Sequence, residues 1–128
     1  MNSLVLLVAR ILLSFMFIMA GIQKFGDIAG TAGYIASVNL PAPEIMAWLG
    51  AIFETVGGIA ILVGFLTRPL AGLFAIFCAF LGAWFHYVPG DMMQMMIFSK
   101  DLTIAGGFLA LAVAGAGSFS VDGVRGRP

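Results

Sequence analysis

Four long apolar stretches occupy almost all of this 128-residue chain, and two of them carry a charge well inside: Arg10 in the first and Glu54 in the second. A helix that crosses a bilayer needs roughly 20 apolar residues, and its backbone must satisfy its own hydrogen bonds. Composition points the same way. Apolar residues make up 62% of the chain and charged residues 9%, against about 25% charged in an ordinary soluble domain. Mean hydropathy is +1.11. The expected fold class is all-α, an integral membrane four-helix bundle. Its spans are expected at about 4–22, 45–66, 70–88 and 98–117, with the whole of 1–128 forming one four-span domain.

The same numbers exclude several functions. Net charge is zero and no basic run exists, so nucleic acid is not an expected partner. Cys78 is the single cysteine; it cannot form an internal disulfide, a CxxC couple or an iron–sulfur site, and it reads as a small core residue. One histidine, His86, cannot supply bis-imidazole haem ligation. Met92, Met93, Met95 and Met96 form a cluster. Thioethers suit Cu(I), but with no second histidine or cysteine beside them they read as a flexible apolar lip. No metal site and no covalently bound cofactor are expected.

The connections carry their own signals. Pro41-Ala42-Pro43-Glu44 opens the second span, with proline in the first turn and an acid at the positive end of the dipole. Thr67-Arg68-Pro69 divides the second and third spans and predicts a tight antiparallel hairpin. In the loop from Phe25 to Leu40, Asp27 is placed to cap a short interfacial helix with Ile28, Ala32 and Ile35 on one face. The segment Pro89–Ser99 is expected as a second loop. Arg68, Arg125, Arg127 and the amino terminus fall on one side of the membrane, Lys24 and Lys100 on the other. The positive-inside rule then puts both termini in the cytoplasm.

Helices gain no hydrophobic advantage by associating in lipid, so small and polar residues must line their contacts. The expected seams are Arg10, Ser14, Phe17, Gly21 and Lys24 in the first span, and Ala47, Gly50, Ala51, Glu54, Gly57 and Gly58 in the second. Those of the third and fourth are Gly72, Ala75, Ala79, Gly82 and His86, then Lys100, Thr103, Gly107, Ala110 and Ala114. Each seam holds an ionisable residue. Counting 1.5 Å per residue, Arg10 and Glu54 are expected to pair at depth. That pair reads either as a structural lock or as a proton or ligand site, since ionisable groups within membranes are costly and mark both. Lys24, His86 and Lys100 are expected near the outer surface. There His86, with Trp84 and Tyr87, reads either as part of an aromatic belt or as a donor to a quinone carbonyl in an aromatic pocket. Asp101 stands next to Lys100, where it favours a helix start and neutralises the lysine.

A run of motifs then resembles a known family. It comprises Leu7-Val8-Ala9-Arg10-Ile11-Leu12, Phe17, Ala20-Gly21 and Lys24, then Glu54-Thr55-Val56-Gly57-Gly58 and Gly64-Phe65-Leu66-Thr67-Arg68. It continues with Phe85-His86, Phe98-Ser99-Lys100-Asp101-Leu102-Thr103, Gly106-Gly107, Gly115-Ala116-Gly117 and Ser120-Val121-Asp122. Nearly the whole chain resembles the DoxX family of small bacterial inner-membrane proteins, in particular its enterobacterial inner-membrane type. The resemblance implies a multi-pass protein of the bacterial inner membrane associated with quinone-linked redox or oxidative-stress systems. On that reading it is a subunit that binds quinone or a soluble or membrane oxidoreductase partner, and does not catalyse alone. Lys24, Trp84, His86, Tyr87 and Lys100 are the candidate quinone-binding residues, with Glu54 tuning the site. A membrane scaffold, self-associating or docking a partner, and a small proton-coupled transporter are the alternatives. Two departures bear on enzymatic activity: Asp101 stands where relatives often have asparagine, and the chain lacks the soluble part of thiosulfate-oxidising relatives.

Overall fold

The computed structural model describes residues 2–128 and is all-helical among them. Met1, whose amino group enters the orientation argument, lies outside the described residues. Four helices are long and apolar enough to span a membrane: α1 (Ser3–Gly26), α3 (Pro43–Val63), α4 (Thr67–His86) and α5 (Met92–Ala114). Between the first two lies the short α2 (Ile28–Ser37), and the tail adds one turn, α6 (Val121–Val124). Asp27 caps α2 as expected, accepting a hydrogen bond from Gly30 N at 2.9 Å, and Ile35 is its buried residue. The fourth span starts at Met92, earlier than expected. Asp91 caps it through Gln94 N at 3.2 Å and converts most of the expected loop into helix.

The turn between α3 and α4 is as short as its sequence suggests, but the main packing is elsewhere. The pairs α1/α3 and α4/α5 pack against each other along their lengths. Gly21 and Gly58 explain the first pair. A Cβ on Gly21 would lie 2.7 Å from Thr55 N, and one on Gly58 would lie 2.8 Å from the Ile18 side chain. The two backbones are therefore in close approach, as small residues permit in lipid. A layer of phenylalanine rings joins the pairs. Phe17 of α1 and Phe53 of α3 meet Phe74 and Phe77 of α4 and Phe108 of α5, with centroid separations from 4.5 Å (Phe53–Phe74) to 5.7 Å (Phe17–Phe108) among the closest contacts. Such pairs add about 0.5–1.5 kcal/mol each beyond their burial.

The seams of α1 and α3 are buried as expected: Arg10, Ser14, Phe17 and Gly21 on the first, Ala47, Ala51, Glu54, Gly57 and Gly58 on the second. Those of α4 and α5 differ. On α4 the buried set is Thr67, Ala71, Phe74, Ala75, Cys78 and Gly82, while Ala79 is exposed. On α5 Asp101, Ala105, Phe108 and Leu111 face inward, while Lys100, Thr103, Ala110 and Ala114 are exposed. Bulky rings fill much of this half of the core, so Ala110 and Ala114 of α5 are left outside while Ala105 stays within.

The end of the bundle that carries the chain termini is stitched by helix caps. The final carbonyls of a helix have no intrahelical partner. Arg10 supplies donors to those of α3, at 2.6 Å from Leu62 O and 3.5 Å from Ile61 O, and its other nitrogen donates to Phe119 O in the tail. Arg68 does the same for α5, donating to Val113 O and, at 3.3 and 3.4 Å, to Ala112 O and Ala114 O. Asp122 caps the start of α4, accepting from Leu66 N at 2.9 Å and Thr67 N at 2.8 Å. Between them Gly64, at φ 75°, takes the left-handed conformation that ends α3.

Candidate functional site

A cavity of about 550 Å³ opens at the other end, among the end of α1, α2, the start of α3 and the end of α4. That volume lies within the range of ligand sites, roughly 300–1,000 Å³. Its walls are largely apolar and aromatic: Ala20, Met46, Ala47, Phe77, Phe80 and Phe85, with Tyr34 and Ile35 from α2. Gly50 lines the cavity beside Glu54; a Cβ there would meet nothing closer than the Glu54 carboxylate at 4.0 Å. Gln23, Lys24, Asp27, Thr31, Glu54 and His86 supply the polar groups.

Two ionisable couples converge on this space. Lys24 Nζ lies 2.7 Å from Glu54 Oε1. The glutamate is buried at 3% side-chain exposure, whereas the lysine keeps 32%. His86 Nδ1 lies 2.6 Å from Asp101 Oδ2. An ionised carboxylate only accepts, so this contact puts a proton on Nδ1 and fixes the ring with Nε2 left to other partners. Of the three cavity-lining members, Glu54 and His86 sit on π-helical turns, Glu54 within Phe53–Gly57 and His86 at the end of Gly82–His86. Such turns are rare, and they are frequent at functional sites.

The expected deep pair of Arg10 and Glu54 is not formed. The packing of Gly21 against Ala51 and Thr55, and of Gly58 against Ser14 and Ile18, fixes the stagger of the two helices. Glu54 therefore stands level with the region of Gly21, about 15 Å along α1 from Arg10. Lys24 is one turn away and reaches it. Arg10 is level with the end of α3 and spends its donors on carbonyls there.

Of the outer residues singled out from the sequence, Lys24 and His86 line the cavity; Trp84, Tyr87 and Lys100 do not. Trp84 lies two positions from His86, and residues at that spacing do not share a helix face. Its indole points away and donates to Val38 O at 2.9 Å. Tyr87 stacks edge-on against Phe98 at 5.2 Å. Lys100 is exposed beside Met92, Met95, Met96 and Ser99 in a separate shallow groove, while its neighbour Asp101 takes the interior and faces His86 rather than Lys100. Sequence reading missed Asp101 as a partner of His86, and Tyr34, Phe80 and Phe85 as walls. The signal within reach was Asp27, whose cap predicts α2; a helix there brings Tyr34 over the end of the bundle.

Fold and cavity together define a small four-span membrane protein with a polar-floored, aromatic-walled cavity at one end. Residues 5–87 match the sequence profile of DoxX, and the chain belongs to the DoxX family. The inner membrane protein YqjF of Escherichia coli strain K12 is 42% identical over 116 residues, covering 91% of this chain and 88% of that protein. The inner membrane protein YphA of the same organism is 38% identical over 126 residues, covering 94% and 90%. A Bacillus subtilis strain 168 protein named "Putative oxidoreductase CatD" is 33% identical over 70 residues, 55% of this chain and 51% of that protein. No solved structure matches the chain.

Proposed function

We propose that this chain is an inner-membrane subunit of a redox system and that its cavity binds a quinone head group for a partner oxidoreductase. The observation that carries the reading is the convergence of Lys24–Glu54 and His86–Asp101 on one aromatic-walled cavity. A flat, uncharged ring with two carbonyls suits such a space: the walls take the faces, the Lys24 ammonium donates to an oxygen, and His86 Nε2, with the ring proton committed at Nδ1, accepts from a hydroxyl of the reduced form. When bound, a quinone accepts two electrons and two protons. The chain has no electron-carrying ligand set of its own, so electrons come from the partner. Lys24, held by Glu54, holds protons on the cavity side, and His86, whose Nδ1 proton is held by Asp101, leaves Nε2 to accept one. The likeness to two inner membrane proteins supports the location. Arg68, Arg125 and Arg127 at the terminal end favour placing both termini in the cytoplasm.

Binding is favoured over passage because the phenylalanine layer lies between the cavity and the capped end of the bundle. The test is organic extraction of the detergent-purified protein followed by mass spectrometry, beside a Glu54→Gln, His86→Ala double variant. Near-stoichiometric quinone in the parent and little in the variant is the expected result. Parent protein purified from quinone-replete membranes without quinone would overturn the reading.

A further inference from the structure

We infer that α2 is a movable wall of the cavity and that Trp84 is the positioning residue that holds it in place. The helix supplies Gly30, Thr31, Tyr34 and Ile35 to the cavity wall, so displacing it would open that wall. It packs on the start of α3 along one side. Two contacts join it to α4 on the other: the Trp84 indole N–H donates to Val38 O, the C-cap of α2, at 2.9 Å, and Tyr34 packs on Phe85 with ring centroids 5.3 Å apart.

The connections of α2 are short and conformationally constrained. Asp27 alone separates it from α1, at φ −153°. On the far side Asn39 and Ala42 hold φ of 65° and 47°, and prolines flank Ala42. A left-handed alanine is disfavoured by its own Cβ, and such residues persist where the surrounding structure over-determines them. The Trp84 bond is one contact that determines the position of this segment. It also explains why an indole sits beside the cavity without lining it. The inference does not depend on what occupies the cavity.

The experiment reads opening directly. Gly50→Cys, in a Cys78→Ala background, places a thiol inside the cavity, where a Cβ meets no clash. Gly50 is half-buried, so the thiol has a basal rate of reaction with a charged methanethiosulfonate, and the rise in that rate measures how far the α2 wall has moved. Trp84→Phe removes the N–H but keeps a ring against Phe80, which now lies 6.0 Å away. Losing one such hydrogen bond should raise the rate roughly 2- to 10-fold. The native Cys78, 1% exposed in the core, is the control in chains that keep it. It should stay unreactive with or without Trp84→Phe, while the melting temperature barely moves. A Gly50→Cys rate unchanged by Trp84→Phe overturns the inference. So does a parallel rise at Cys78, which would mean that the whole bundle had loosened.

Discussion

Removing either member of the Lys24–Glu54 pair should have unequal effects. Glu54 is buried and accepts from a lysine whose side chain is one-third exposed. Lys24→Met strands a carboxylate in the bundle. Breaking a buried pair in this way costs about 3–5 kcal/mol, and with the cavity admitting water beside the carboxylate we expect the lower end, about 3 kcal/mol. Glu54→Gln strands nothing: the amide keeps the shape and an acceptor, and the lysine turns toward water. That change should cost no more than about 1 kcal/mol. Reversible unfolding in mixed micelles measures both, and the double variant closes the cycle. It should be more stable than Lys24→Met alone, giving a coupling of about 2 kcal/mol. In a second cycle Arg10→Met and Glu54→Gln should add, because those two groups do not touch. Equal losses from the two single changes, or strong coupling of Glu54 to Arg10 in place of Lys24, would refute the pairing and the helix stagger behind it.

Gly50→Leu should fill the cavity beside Glu54 without replacing a charged residue. Copurified quinone should fall at least about tenfold, while stability holds or rises by up to about 1 kcal/mol, because leucine is the better helix former; retained quinone would move the site elsewhere. Asp122→Ala should cost about 1–2 kcal/mol as the loss of a helix cap. Amide exchange should accelerate at Leu66 and Thr67, whose N–H groups it holds; unchanged protection there would show that the tail does not cap α4. Asp101→Asn should raise quinone retention while leaving the bundle folded, because an amide can present its N–H₂ to Nδ1 and so move the His86 proton to Nε2, where it can donate to a carbonyl oxygen. Equal retention would confine Asp101 to packing.

Much of the architecture was legible because hydropathy and caps are local. Four apolar runs gave the spans, and Asp27 gave α2 and its buried Ile35. The seams of α1 and α3 were legible because each alternates small or polar positions with large apolar ones at helical spacing. α5 offers no such contrast. It is apolar on nearly every side, so nothing in its sequence says that Phe108 and not Ala110 faces the core. The Arg10–Glu54 pairing failed for a related reason. Depth counted from the span ends fixes a residue only to within the stagger of neighbouring helices, and that stagger is set by contacts such as Gly21 against Thr55. In the sequence Asp122 stood only within the Ser120-Val121-Asp122 motif, and it gained its role when folding brought it 55 residues back along the chain to Thr67. His86 was identified for its chemistry, but its carboxylate lies on another helix, and Asp101 was assigned to the lysine beside it.

A polar cavity cut into one leaflet thins the barrier that a membrane maintains against ions. Here the thinning stops at Phe17, Phe74 and Phe108, whose rings pack against one another at the centre of the bundle. The charged groups of the cavity, Lys24, Glu54 and His86, lie on one side of that layer and Arg10 on the other. An apolar layer of this kind keeps the local dielectric low between the two charged ends.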